Sequence, residues 1–275
     1  MSALAPALPV DVRVLSRPED CLRCERLYRE VFGLTPDDES INARLLISLS
    51  RNSGLVIGAY ADGDLVGFAL SFLARRDSGG RLYQYSQTAA VLPSWQGRGI
   101  GRAMKFAQRS AALAAGTDLL RWTFDPLRPG NAHFNLDVLG AVVTGLELDF
   151  YGATAVPSDR GEPTDRFVAD WELLSPAVRT RAEQAVFPAT PNPGPPLALR
   201  PGELRPGELR VTATCALLGV PADWQRYRRA SAPAGPASLR EQIVGHARRL
   251  LDADLVAVSC TRLDGESAVY RFVTP

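Results

Sequence analysis

The sequence predicts an α/β fold in which helices and strands alternate along most of the chain. Two apolar segments joined across Ala61-Asp62-Gly63-Asp64 are typical of a β-hairpin. A long strand pattern that breaks at Pro93 runs directly into a glycine-rich turn and then into a strongly helix-forming segment. After that helix the periodicity continues to switch between 2 and 3.6 residues, which indicates a sheet with helices packed on it.

The first half of the chain begins with a short strand and continues with two helices. Pro18 opens the first helix and Gly33 ends it, because proline suits the first helical turn and glycine the position after the last. The second helix is expected from Asp38 to Ser50. The strands predicted in this half are Asp11 to Leu15, Leu55 to Tyr60, Leu65 to Phe72 and Leu82 to Leu92, the last being the longest.

The elements that follow the glycine-rich turn are a helix from Gly101 to about Ala115, a strand, a short helix and two further strands. Met104, Ala107, Ala111 and Ala114 give the first of these helices a narrow apolar face that suits a close approach to a sheet. The next elements are predicted at Leu119 to Phe124 (strand), Asn131 to Leu139 (helix), Val142 to Tyr151 and Phe167 to Leu173 (strands).

Proline and glycine divide the chain into domains. Residues 1–187 form the first α/β unit, residues 188–207 are a Pro/Gly-rich linker in which Arg-Pro-Gly-Glu-Leu occurs twice, and residues 208–275 form a smaller second α/β unit. The smaller unit is expected to contain a strand (Arg210 to Leu217), helices from about Ala222 and from Leu239 to Leu251, and strands at Leu255 to Thr261 and Ser267 to Val273. Its helix, strand, strand order makes it a candidate for a divergent half-copy of the first unit.

The bulk composition excludes several classes of function. The 275 residues are 46% hydrophobic and 22% charged, and 31 basic against 30 acidic side chains give a formal charge of +1, so no overall field attracts nucleic acid or an anionic membrane. No apolar run approaches the roughly 20 residues of a membrane span, and the N-terminus lacks a signal-peptide layout, which predicts a cytoplasmic protein. Cys21-x-x-Cys24 lies on a helical pattern and is interpreted as core packing, with no metal expected.

The motif that carries chemistry is Gln96-Gly97-Arg98-Gly99-Ile100-Gly101, at the junction of the long strand and the helix. A pyrophosphate needs several N–H donors in a tight arc at a positive helix end, and glycines keep that arc open. Arg98 and Arg102 would add positive charge. A dinucleotide site would place its glycines after the first strand of a βαβ unit, and a nucleoside-triphosphate loop would contain Gly-Lys-Ser/Thr, so neither alternative fits.

The pattern Q-x-x-G-x-G between Val91-Leu92-Pro93 and the helix resembles motif A of the GNAT acetyltransferases. The resemblance extends from about residue 11 to 174, and the segments RWTFDPLRPGNAHFNLDVLGA, LDFYG and RFVADWEL resemble a bacterial branch associated with amino-acid N-succinyltransferases. It implies a GNAT fold, with a mixed, mostly antiparallel central sheet flanked by helices, and acetyl-CoA or succinyl-CoA as the acyl donor.

The resemblance also implies where the donor binds and how the reaction runs. The backbone near Val91 and Leu92 would pair with the pantetheine arm, residues 96–102 would hold the pyrophosphate, and Asn131 would border the CoA. A neutral amine would attack the thioester directly, without an acyl-enzyme, and some group would protonate the leaving thiolate. The residues so implied to bind the donor are Val91, Leu92, Gln96, Gly97, Arg98, Gly99, Ile100, Gly101, Arg102 and Asn131.

One departure from the family pattern concerns the general acid. Many GNAT enzymes carry a tyrosine four residues before a Gly-Phe, whereas Leu136 stands at that spacing here. Tyr151, His133 and Asp125 are the catalytic candidates, although each also has a plain structural reading: packing at a strand end, an exposed helix start, and a turn cap before Pro126.

The acceptor is left open by the sequence. Tyr83, Tyr85 and Gln87 line either an acceptor pocket or the core, and the loop residues Arg128, Asp159 and Arg160 either hold an amino acid or face solvent. The function predicted is transfer of an acetyl or succinyl group to a primary amine of a small molecule such as an amino acid, with a homodimer as one compatible assembly. The alternatives are a CoA-binding protein without catalysis and a protein N-acetyltransferase. A chain ending near residue 187 is expected to keep its CoA affinity, since the smaller unit has no glycine-rich turn.

Overall fold

The computed structural model describes residues 10–75, 80–152, 162–183, 199–231 and 234–275. The chain divides into two compact units, each assembled from separate segments. The N-terminal unit comprises Met1–Arg121, Ala155–Arg160 and Glu172–Thr190, and the C-terminal unit comprises Trp122–Thr154, Gly161–Trp171 and Pro191–Pro275.

An antiparallel sheet of strands in the order β1-β2-β3-β4 forms the centre of the N-terminal unit, and β4 continues it in parallel with the start of β5. The predicted hairpin is confirmed, with Ala61 paired to Asp64 at its turn. The longest strand in this unit is β3, whereas the sequence predicted β4. The strands are β1 (Val10–Val14), β2 (Leu55–Ala61), β3 (Asp64–Arg75), β4 (Leu82–Val91) and β5 (Leu119–Phe124).

Helices cover both faces of this sheet: α1 (Pro18–Phe32), α2 (Ala43–Arg51), α3 (Ile100–Ala114) and α5 (Pro176–Glu183) belong to the unit. The helix α1 begins and ends as predicted, but α2 begins at Ala43 instead of Asp38. Asn42 caps α2 by accepting the Arg44 N–H at 2.8 Å, whereas Asp38 accepts the N–H and hydroxyl of Thr35, each at 2.7 Å, in the preceding turn.

Two buried clusters lie on opposite faces of the N-terminal sheet, because alternate strand residues point to opposite sides. One joins α1 and α2 to the sheet and contains Cys21 and Cys24, both fully buried, so the interpretation of these cysteines as core residues is confirmed. The other places Ile100 and Met104 of α3 on β2 and β3. A Cβ at Gly67 would lie 3.2 Å from the Met104 side chain, so this glycine lets α3 approach the sheet closely.

The C-terminal unit is also built on one sheet, in the strand order β5-β7-β6-β10-β11-β9-β8. Its further strands are β6 (Val142–Glu147), β7 (Arg166–Glu172), β8 (Leu209–Val211), β9 (Ala216–Pro221), β10 (Val256–Arg262) and β11 (Ser267–Val273), and its helices are α4 (Pro129–His133), α6 (Trp224–Ala230) and α7 (Ala234–Asp252). The strand β6 pairs with both β7 and β10, so strands from before and after the Pro/Gly-rich segment share one sheet in this unit.

Two sequence predictions within this unit need correction. The segment from Arg210 to Leu217 is not one strand, because the Thr212 hydroxyl accepts the Cys215 N–H at 3.1 Å in a tight turn between β8 and β9. The segment from Asn131 to Leu139 is not a continuous α-helix either: α4 ends at His133, and a π-helix covers Phe134–Leu139.

Part of the predicted linker is ordered into two matching turns. The Glu203 side chain accepts the Arg200 N–H at 3.0 Å, and Glu208 accepts the Arg205 N–H at 2.8 Å, so each copy of Arg-Pro-Gly-Glu-Leu closes on itself. Leu204 between them is 2% exposed. Residues 188–198 of the linker lie outside the described residues.

Candidate active site

The glycine-rich turn in the N-terminal unit has the geometry of an anion site. After β4 the chain makes a short 3₁₀ turn at Pro93–Trp95, and Gly97 and Gly99 then adopt φ angles of 74° and 81°. Residues with a side chain avoid this left-handed region, which accounts for glycine at both positions. The Gln96 side chain donates a hydrogen bond of 3.0 Å to the Val91 carbonyl, so the turn is tied back to the end of β4.

Gly99 is the N-cap of α3, a helix of 15 residues. The first N–H groups of any helix lack an intrahelical acceptor, and they carry the positive end of the helix dipole. The first turn of α3, at Ile100, Gly101 and Arg102, contains no acidic residue that would occupy these donors. The donors and the open glycine backbone fit the pyrophosphate of an acyl-CoA.

The two arginines of the turn differ in their surroundings. Arg98 is exposed, with its guanidinium 4.7 Å from the centre of the Trp95 ring. Arg102 is half-buried and donates to the Arg181 carbonyl of α5 at 3.1 Å, and burial lowers the pKa of its guanidinium. The expectation that both arginines present their charge to the phosphates therefore fits Arg98 better than Arg102.

The strand β4 leaves a backbone edge beside the turn. Its parallel ladder with β5 consists of Gln84↔Leu120 and Tyr85↔Arg121, so from Ser86 onward β4 has no partner strand on that edge among the described residues. The register with β3 shifts from Ser71↔Ser86 to Leu70↔Thr88, which makes Gln87 the extra residue of a β-bulge. Bulges at strand edges turn backbone groups outward, as an extended pantetheine arm requires.

Hydrogen bonds at the end of β4 limit where that arm can pair. The Leu92 N–H donates to Val66 at 2.9 Å, and the Leu92 carbonyl accepts from Trp95 at 2.8 Å, so both backbone groups of Leu92 are engaged. The Val91 carbonyl is engaged by Gln96. The part of this edge that carries none of these bonds runs from Ser86 to Ala90, and pairing of the pantetheine arm at Val91 and Leu92 stays a prediction.

A buried polar cluster lies between β4 and α3. The Lys105 amine donates to the Ser86 hydroxyl at 3.1 Å and to the Gln108 side-chain oxygen at 2.9 Å. Burial lowers the pKa of Lys105 to about 7. Sequence reasoning missed this residue because lysine is common on exposed helix faces; its position next to the core residue Met104 was the available signal.

The candidates Asp125, Asn131, His133 and Tyr151 lie in the C-terminal unit. Asn131 is exposed on α4, and Leu136, at the position of the usual tyrosine, is 1% exposed and belongs to the core. No proton donor therefore stands at residue 136. Asp159 and Arg160 lie outside the described residues.

Asp125 is held by cations and by a turn. One of its oxygens accepts the Leu127 N–H at 2.8 Å, and the other lies 3.5 Å from the guanidinium of Arg128 and 3.9 Å from that of Arg240. The Asp125 carboxylate is therefore engaged by one backbone donor and lies near two guanidinium groups. Arg128, a candidate acceptor-binding residue, is therefore paired with Asp125, a catalytic candidate.

Tyr151 is half-buried at the turn after β6. Its N–H donates to the Thr164 hydroxyl at 2.8 Å, and the Arg166 guanidinium lies 5.3 Å from the centre of its ring. These contacts fix the backbone and ring of Tyr151.

On β4, Tyr83 and Tyr85 are half-buried and Gln87 is exposed, while Gln84 and Ser86 occupy the buried face, so the tyrosine face is not the core face.

His133 is the candidate whose ordinary pKa lies nearest neutrality. Its Nδ1 lies 3.1 Å from an oxygen of Asp137 and 3.2 Å from the Cys260 carbonyl, and the hydrogen bond to Asp137 raises the imidazole pKa. The sequence analysis did not select Asp137, although its position four residues after His133 places both on one helical face. Asp125, Tyr151 and His133 thus have separate sets of partners.

Comparisons with known proteins agree with this geometry. Residues 21–133 match the model of the acetyltransferase (GNAT) family. No curated protein matches the sequence. Among the described residues, no helix is long and apolar enough to span a membrane, and no group of His, Cys, Asp and Glu side chains is arranged to hold a metal ion.

Solved structures with a related fold share little sequence with the chain. A putative GNAT acetyltransferase from Desulfovibrio desulfuricans is 20% identical (TM-score 0.46, covering 60% of this chain and 99% of that one). A putative acetyltransferase from Salmonella typhimurium with its cofactor acetyl-CoA is 16% identical (TM-score 0.48, 60% and 94%). An aminoglycoside acetyltransferase from an uncultured soil metagenomic sample is 20% identical (TM-score 0.41, 46% and 84%).

The fold is therefore the GNAT fold, with strands added after β7. The strand, turn and helix that hold the candidate pyrophosphate site lie within the matched segment 21–133. Residues 21–133 thus match an acetyltransferase (GNAT) domain, which supports N-acyltransferase activity.

Proposed function

We propose that this protein transfers an acetyl or succinyl group from its CoA thioester to a primary amine of a small molecule such as an amino acid. The observation that carries the proposal is the turn at Gln96–Gly101, which opens α3 beside the unpartnered edge of β4. The acceptor class follows from the resemblance of segments such as RWTFDPLRPGNAHFNLDVLGA to the succinyltransferase-associated branch. A cytoplasmic protein would meet both reactants.

Direct attack of the amine on the thioester requires the protein to bind the donor, to polarise the thioester carbonyl and to transfer protons. The N–H groups at the α3 N-terminus bind the pyrophosphate, and backbone N–H groups of β4 near the Gln87 bulge polarise the thioester carbonyl. The amine must lose a proton before or during attack, and the CoA thiolate must gain one when its bond to carbon breaks. The C–N bond that forms and the C–S bond that breaks need no acyl-enzyme.

We assign the proton transfers to His133 in preference to Tyr151 and Asp125. The imidazole is partly exposed and its pKa is raised by the hydrogen bond to Asp137, whereas Asp125 is paired with Arg128 and Tyr151 is packed beside Arg166. Asn131, two residues before His133 on α4, is proposed to border the CoA.

The test is release of free thiol by the full chain when acetyl-CoA or succinyl-CoA is supplied with a panel of amino acids and amines. We expect release above the rate of hydrolysis for at least one pair, with a product heavier than the acceptor by the mass of the acyl group less one hydrogen. Preference for succinyl-CoA would identify the donor within the same assay.

Two results would overturn the proposal. Calorimetric binding of CoA without thiol release for any pair would indicate a CoA-binding protein that lacks catalysis. Release with peptides or proteins alone, and with none of the small amines, would indicate a protein N-acetyltransferase.

A further inference from the structure

A buried carboxylate joins the π-helix of the C-terminal unit to strand β10. Asp137 is 2% exposed. Its Oδ1 accepts the Ser259 hydroxyl at 2.7 Å, and its Oδ2 accepts the Cys260 backbone N–H at 2.9 Å. Two donors from one strand fix both oxygens, so the orientation of this carboxylate is set by β10.

The same carboxylate orients His133. The Nδ1 of His133 faces two acceptors, Asp137 Oδ2 at 3.1 Å and the Cys260 carbonyl at 3.2 Å, so Nδ1 carries a proton. Nε2 then becomes the titrating nitrogen. Nε2 has no hydrogen-bond partner in the described part of the chain, and the His133 side chain is 40% exposed.

The geometry points to Asp137 as the positioning residue of a proton carrier, with His133 as the group that exchanges the proton. We infer that β10 takes part in the acyl transfer by holding Asp137. This inference rests on the proposed function and gives the strands added after β7 a role in it.

The arrangement suits the proton balance of the reaction. Nε2 takes the proton that the substrate ammonium loses, and the imidazolium so formed is stabilised by the Asp137 carboxylate, which itself stays ionised. The CoA thiolate released when the C–S bond breaks then takes that proton. The imidazole returns to its starting form, and no further reactant is consumed.

A purely structural role for Asp137, as an anchor of the π-helix on β10, predicts different results. An anchor would affect stability and leave the titration of the reaction unchanged. A positioning residue sets the pKa of His133, so its loss moves the pH dependence of the rate.

The main variant is Asp137→Asn, which keeps the shape of the side chain and removes its charge. We expect the NMR-measured pKa of His133 to fall by about one unit, because a neighbouring opposite charge shifts a pKa by one unit or more. The chain has only two histidines, so a His246→Gln background assigns the signal. The low-pH limb of kcat/KM should move by the same amount, and kcat should fall about 10–100-fold at an unchanged KM for the donor.

Ser259→Ala provides a matched variant that preserves the carboxylate. Losing one donor concentrates negative charge on Asp137, so the His133 pKa should rise, opposite to the effect of Asp137→Asn. This variant also tests the inference if Asp137→Asn fails to fold. His133→Ala should lower kcat about 10²–10⁴-fold, and added imidazole should restore part of the activity.

Three outcomes would refute the inference. A folded Asp137→Asn protein with an unchanged His133 titration would show that Asp137 does not act on the imidazole. An unchanged His133 titration in Ser259→Ala would show that β10 does not act through Asp137, and full kcat in His133→Ala would remove the proton carrier. If the wild-type chain transfers no acyl group, the proposed function fails, while the titrations still decide whether Asp137 controls His133.

Discussion

Gly97 and Gly116 form a natural matched pair at opposite ends of α3. Their φ angles are 74° and 79°, and in neither case would an added Cβ meet another atom within 4 Å. Alanine at either position costs about 1–2 kcal/mol of backbone strain. Only Gly97 lies in the candidate pyrophosphate turn.

We predict that Gly97→Ala weakens CoA binding at least tenfold, because it shifts the N–H groups that surround the phosphates. Gly116→Ala should lower stability to a similar extent and leave CoA affinity within twofold of the wild type. Calorimetric titration with CoA at matched fractions of folded protein measures both. Equal affinity in the two variants would argue against the turn as the CoA site.

Lys105 is a buried amine whose protonation couples the stability of the N-terminal unit to pH. Its pKa is lowered by burial from 10.5 to about 7, so between these values the unfolded chain binds a proton that the folded chain does not. Stability due to this group is therefore complete above pH 10.5 and is lost as the pH falls to about 7. Between these pH values the contribution of Lys105 to the free energy of unfolding changes by about 1.4 kcal/mol per pH unit.

Lys105→Met tests this dependence because methionine has a similar length and no charge. We predict that the free energy of unfolding of the wild type rises relative to that of Lys105→Met between pH 7 and pH 9, with the difference levelling off below pH 7. Urea unfolding of both proteins at each pH measures the difference, and the other titrating groups cancel. Parallel curves would show that the amine keeps an ordinary pKa.

At the scale of elements, the glycine-rich turn and its flanking strand and helix were predictable because their signals are local. Pro93 ends the strand, glycines mark the turn, and the alanine-rich segment favours a helix. The bulge at Gln87 and the engagement of Leu92 by Val66 were not predictable. Both depend on the pairing of β4 with a strand that no local pattern aligns to it.

The π-helix at Phe134–Leu139 was likewise not predictable from local sequence signals. Its sequence suits an ordinary helix, but distant groups hold its carbonyls and side chains: the Trp171 indole donates to the Leu139 carbonyl at 2.9 Å, and Asp137 is bound to β10. Ser259 lies 122 positions from Asp137. A single sequence therefore indicates His133 without its hydrogen-bond partners. The contacts that connect Asp137 to His133 and to β10 can be identified only in the folded chain.

At the scale of the whole molecule, the C-terminal strands complete a sheet that begins before the Pro/Gly-rich segment. The strand β10 pairs with β6 at Ala257↔Val143, and the Tyr270 hydroxyl donates to the Pro126 carbonyl at 2.9 Å. Arg240 on α7 lies 2.6 Å from Glu162 and 3.4 Å from Asp165. These contacts all lie within the C-terminal unit.

A chain ending near residue 187 is consequently expected to lose the C-terminal unit as a folded body, rather than to behave as an intact acyltransferase domain. The cut removes β8–β11 and exposes Phe167, which is fully buried with its ring centre 5.4 Å from that of Tyr270 and 6.5 Å from that of Phe272. Each such side chain contributes about 1.5–3 kcal/mol by its burial, so the loss of several is comparable with the typical 5–15 kcal/mol stability of a domain.

The measurement compares this truncation with Tyr270→Phe in the full chain, which removes the buried hydroxyl with its hydrogen bond to the Pro126 carbonyl and leaves the ring in place. We predict that the truncated chain is insoluble or rapidly cleaved by protease within residues 122–171, whereas Tyr270→Phe stays folded and loses about 1 kcal/mol, the usual contribution of one such bond. A soluble, protease-resistant truncation would show instead that residues 122–171 fold without the strands that follow, because β6 would then be stable with its edge facing water. In that case the contacts of Asp137 with Ser259 and Cys260 would be dispensable for the fold of residues 122–171.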